Sequence, residues 1–85
     1  MKLSQFARAA KDRQELMDIL RWQVAKLIEL DDPDWKLAGA LAVNLQRRGY
    51  ANAAKRVQMA ATDENPQALA KVLQDLRADR GIFPA

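Results

Sequence analysis

A chain of 85 residues with 49% apolar side chains and a net charge of +3 is one small globular domain with a thin core. It contains no cysteine and no histidine. That removes disulfides, thiolate chemistry, Cys/His zinc sites and imidazole acid–base catalysis, leaving only carboxylates, lysines and a few hydroxyls. No stretch has the ~20 apolar residues needed to cross a bilayer, and the N-terminus lacks the apolar run of a secretory signal, so the expected location is cytoplasmic.

The elements expected, in chain order, form an all-α domain. One long N-terminal helix, about 4–29, packs against a compact unit of three helices, about 33–48, 51–61 and 66–80. In the first helix Leu3, Phe6, Ala10, Arg13, Met17, Leu20, Val24 and Leu27 alternate at spacings of three and four, a heptad seam. Arg13 interrupts that seam, so a bend or break near Lys11–Arg13 is one expectation. Ser4 capping a helix that starts at Gln5 is another. Leu16, Ile19 and Ile28 widen the apolar stripe of the second half. Trp22 falls nearly opposite the seam. Either a later helix covers it or it is offered to a partner, tryptophan being enriched at interface hot spots.

The acidic link Glu29–Asp32 ends this helix. Asp32 is expected to cap the second, with Pro33 in its first turn and Asp34 complementing the dipole. Leu37, Leu41 and Leu45 form the stripe of the second helix. Gly39, inside it, costs about 1 kcal/mol relative to alanine and suits a place where another backbone comes close. Gly49 provides the left-handed stop. The third helix is small-sided: Ala51, Ala53, Ala54, Ala60 and Ala61 accompany only Val57 and Met59, so bulkier neighbours must supply its groove. Asn65 caps and Pro66 opens the fourth, whose stripe is Ala68, Leu69, Val72, Leu73 and Leu76. Gly81 is expected to end it, with Ile82 folding back on Leu76. The apolar tail, residues 82–85, either tucks into the bundle or presents Phe83 to a partner.

Residues 33–66 resemble a single tetratricopeptide-type helical hairpin. Leu41, Ala42 and Leu45 precede the turn glycine, Gly49, and Ala54, Ala61 and Pro66 follow at matching intervals. Tyr50 stands one place before the usual aromatic. Gln58 replaces a bulky aromatic, and Ala38 stands where a large residue is expected. The resemblance covers 34 of the 85 residues and implies protein or peptide binding on a concave helical face. The first helix, DRQELMDILRWQVAKLIE, is also similar to that of small phage DNA-packaging (small terminase) proteins, which implies nucleic-acid contact.

From Lys36 to Thr62 the charged residues are Lys36, Arg47, Arg48, Lys55 and Arg56, with no acid among them. Arg47, Arg48, Lys55 and Arg56 would form a basic knuckle around Gly49, suited to phosphates or to an acidic protein. Asn52 and Gln58 are weak base-reading groups for a recognition helix. A catalytic centre is not expected. Asp63 and Glu64 diverge in a turn, while Asp75 and Asp79 share a helix face with Lys71 and Arg80 nearby, a pattern of surface pairing. Asp31 and Asp32 lack the spacing of a calcium loop. A membrane-surface helix is not expected either, because Glu15 and Asp18 offset Arg21 and Lys26. The expected function is therefore non-catalytic protein–protein interaction, as a homodimer or as a small regulator or inhibitor of a larger protein. Trp22, Arg47, Arg48, Lys55, Arg56 and Phe83 are the partner-binding residues, with no cofactor and no metal. A small basic nucleic-acid-binding protein of phage or plasmid type is the alternative.

Overall fold

The computed structural model describes the backbone of residues 3–83 and the side chains of residues 13–83. It contains four helices: α1 (Leu3–Glu29), α2 (Trp35–Arg48), α3 (Ala51–Thr62) and α4 (Pro66–Arg77). No strand occurs among the described residues. The side chains of Leu3, Phe6 and Ala10, and the Pro84–Ala85 end of the tail, lie outside the described residues. α1 is continuous through Arg13, so the charged interruption of the seam does not break it. Arg13 itself is exposed.

The helices close into a ring. α1 packs against α2 and α4, and α3 packs against the same two helices from the other side. The 27 residues of α1 span about 40 Å, roughly twice the length of α2, and the molecule measures 45 × 27 × 20 Å. The core is contributed by every helix. Met17, Leu20, Val24 and Leu27 face Ala38, Leu41, Ala42 and Leu45 on one side and Leu69, Val72, Leu73 and Leu76 on the other. α3 adds Ala54, Val57 and Ala60 to the same cluster. Two alanines and a valine let it sit between the leucine-rich faces of α2 and α4. Of its two larger apolar side chains only Val57 is buried; Met59 is exposed. The stripe of α4 begins at Leu69, Ala68 being exposed.

The caps account for the helix limits. α2 starts two residues later than expected, because Asp34 rather than Asp32 is its N-cap. The Asp34 carboxylate accepts the Leu37 N–H at 3.0 Å, and Pro33 stays in the link. Asn65 caps α4 as expected, accepting the Ala68 N–H at 3.1 Å. Gly49 has φ +96°, its N–H donates to the Gln46 carbonyl, and the Tyr50 N–H donates to the Leu45 carbonyl. Together these are the two bonds of a Schellman stop. A Cβ at Gly49 would meet nothing within 4 Å, so the cost of Gly49→Ala is purely that of a left-handed backbone. That substitution should lower the unfolding free energy by about 1–2 kcal/mol, and Gly49→Asn by less, in urea titrations.

The end of α4 differs from expectation. The helix stops at Arg77, and Ala78 caps it in a right-handed conformation. Gly81 does not have positive φ. Asp79 organises the turn instead: its carboxylate accepts the Gly81 N–H at 2.7 Å, and its carbonyl accepts the N–H groups of Ile82 and Phe83. A Cβ at Gly81 would lie 2.8 Å from the Tyr50 hydroxyl and 3.0 Å from Asp79 Oδ1, so a larger residue there would have to displace these side-chain ends. Ile82 does reach the core, fully buried in the same cluster as Leu76.

The ring places the connections at two ends. Asp31 and Pro33 of the first link and Pro66 of the third line one pocket, so both acidic links share an end. The Gly49–Tyr50 turn and the C-terminal turn share the other, where Tyr50 and Asp79 line a common pocket.

Candidate interaction surface

Trp22 is 60% exposed, and no later helix covers it. Its position follows from α1's packing: Met17, Leu20, Val24 and Leu27 point inward, which sends residue 22 to the opposite side. Ile19, one turn earlier, is 45% exposed. Leu16 is only half-buried and Ile28 is exposed, so these residues do not widen the core stripe as expected. Gln23 is buried where an apolar residue would be unremarkable. Asn44 of α2 donates to its Oε1 at 3.1 Å, a polar tie that sets α1 against α2 beside Ile19 and Trp22.

The four cations expected to form one knuckle point three ways. Arg48 turns toward α1, its Nε donating to the Met17 sulfur at 3.0 Å. Arg56 turns toward α4 and pairs with Asp75 at 2.8 Å. Asp75 is thus held across the α3–α4 contact and not by Lys71 or Arg80. Both partners are about half exposed, so the pair is worth at most about 1 kcal/mol. Arg47 and Lys55 stay together, on opposite lips of a groove between α2 and α3. Ala42, Val43, Gln46, Ala54 and Gln58 line the rest of it. Among the described residues neither cation has a carboxylate partner.

Val43 is the part of this groove that stands out, at 58% exposure. Its signal in the sequence is its offset of two residues from both Leu41 and Leu45, which puts it off their stripe. Gly39 belongs to the same region, but among the described residues no backbone approaches it: a Cβ there would meet nothing within 4 Å.

Phe83 tucks in. It is partly buried against the core, in a corner lined by Ala25, Ile28, Glu29 and Arg77. Its neighbour Ile82 is clamped by Arg21 of α1, whose Nε donates to the Ile82 carbonyl at 2.6 Å. Of the six residues expected to bind a partner, Trp22, Arg47 and Lys55 are therefore exposed, the two cations without an ion pair among the described residues, while Arg48, Arg56 and Phe83 engage the chain's own α1, α4 and core. Among the described residues no three carboxylates gather as metal ligands, and no helix is long and apolar enough to cross a membrane. No family model, no curated protein and no solved structure matches the chain.

Proposed function

We propose that this chain is a non-catalytic protein-binding module, acting as a small regulator or inhibitor of a larger protein or through self-association. The observation that carries the reading is the 60% exposure of Trp22 beside a half-exposed Ile19. A tryptophan left out of a thin core leaves in water the kind of surface that anchors interfaces. The competing reading, phosphate contact by a nucleic-acid-binding protein, draws support from α2 and α3 having no acid. It is the weaker of the two, because Arg48 and Arg56 are directed to Met17 and Asp75 and only Arg47 and Lys55 converge.

A photo-crosslinking residue at position 19 separates the readings. Expected is a crosslink to one discrete protein that persists after nuclease treatment and at high salt, and that Trp22→Ala abolishes. Arg47→Glu with Arg48→Glu should leave it in place. Nucleic acid recovered in its place, released steeply by salt and lost in the double arginine variant, would reverse the assignment.

A further inference from the structure

Met17 is the least buried of the four inward residues of α1, at 7% exposure, where Leu20 and Val24 are closed off completely. Its sulfur lies at the rim of the core, because the exposed Arg48 reaches it: the Arg48 Nε donates to the sulfur at 3.0 Å. The two partners are poorly matched. A thioether is a weak acceptor, and a guanidinium is a strong donor that keeps its charge. One covalent change would match them. Transfer of an oxygen atom to the sulfur gives a sulfoxide, whose polar oxygen is a strong acceptor.

We propose that Met17 is an oxidation site of the folded chain, in which a peroxide delivers the oxygen and Arg48 holds the sulfoxide that forms. With hydrogen peroxide, a sulfur lone pair attacks one peroxide oxygen, the O–O bond breaks, a sulfur–oxygen bond forms and water leaves. The sulfur is oxidised by two electrons and the peroxide is reduced by two. The rest of the Met17 side chain packs in the core cluster, so the oxygen is added on the side that faces Arg48. Arg48 ends α2 and is exposed, so its arm has only to withdraw by about the length of the new bond.

A charge resting on a thioether then becomes a charge-assisted hydrogen bond between α2 and α1. Without that donor the same oxygen would be a polar group at the edge of the core with no partner. Met59 is the comparison within the molecule. It is exposed on α3 and outside the core cluster, so an oxygen there changes only the surface.

Dilute hydrogen peroxide on the full chain, followed by peptide mass mapping and thermal melts, tests this. In the native chain Met17 should be oxidised within about tenfold of the rate at Met59. Oxidation through global unfolding alone would be about a thousandfold slower or more, that being the unfolded fraction at ordinary stabilities. The Met17 sulfoxide should be mostly one of its two epimers, against a near-even mixture from the urea-unfolded chain. In a Met59→Leu background, oxidation should lower the melting temperature by no more than about 4 °C. Adding Arg48→Ala should shift the unoxidised protein by no more than about 4 °C, and oxidation should then cost about 8 °C or more. Any oxygen on Met1 is common to every arm. A Met17 that is oxidised only as fast as the chain unfolds, that gives both epimers equally, or that costs as much stability with Arg48 as without it, overturns the proposal.

Discussion

Ile82→Ala should lower the unfolding free energy by about 2–5 kcal/mol, although the residue lies five positions beyond the last helix. For 85 residues the whole stability is of order 4–13 kcal/mol, so this one change removes a large share of it. Ile82 is fully buried, as deeply as Leu20 or Leu45. Three contacts hold it there. The Asp79 carbonyl accepts its N–H at 3.2 Å, Arg21 grips its carbonyl from α1, and its side chain joins the α4 residues in the core cluster. Truncation would leave a cavity where α1 and α4 meet, and the tail would lose its anchor. Urea titration measures the loss. Ile82→Val, which removes one methyl group, should cost only about 0.5–1.5 kcal/mol. Equal and negligible effects of the two changes would mean that the tail is not part of the cooperative unit.

Leu41→Ala should be at least as damaging, again about 2–5 kcal/mol. Leu41 is fully buried in the central turn of α2, the helix that joins α1 to α3 in the ring. Among the described residues the backbones of α1 and α3, and those of α2 and α4, do not come close to each other, so α2 is held mainly by its two ring neighbours. The surrounding small residues Ala38, Ala42 and Ala54 cannot expand into the void. Leu41→Met conserves volume and should cost less than about 1.5 kcal/mol. Thermal unfolding of the two variants separates shape from hydrophobicity. A Leu41→Ala protein that melts with the wild type would mean that the packing described for α2 is wrong.

Several features were legible in the residues alone, because they depend on interactions within a few positions of the chain. The four helices, Gly49 as a left-handed stop and Asn65 as a cap follow from local backbone preference and apolar periodicity. So does the outward direction of Trp22, which is set by its angle from the Met17–Leu20–Val24–Leu27 seam. Gln23, on that seam's flank, could not be recognised as buried, because its partner Asn44 comes from a different helix.

Other features needed the third dimension. The cation group around Gly49 looks like one cluster in sequence. It divides because Arg48 meets Met17 across the α1–α2 contact and Arg56 meets Asp75 across the α3–α4 contact, and neither neighbour can be inferred from spacing. Gly81 carries the signature of a helix stop, yet its φ is not positive and the Tyr50 hydroxyl, thirty-one positions away in the chain, lies where its Cβ would be. Period and capping chemistry are properties of a short segment, so the helices and the face each one turns to the core could be read from the residues. Which side chains remain outside after α1, α2, α3 and α4 have closed their ring is a property of the packing, and it is the packing that leaves Arg47, Lys55 and Val43, and not the whole basic stretch, lining an open groove.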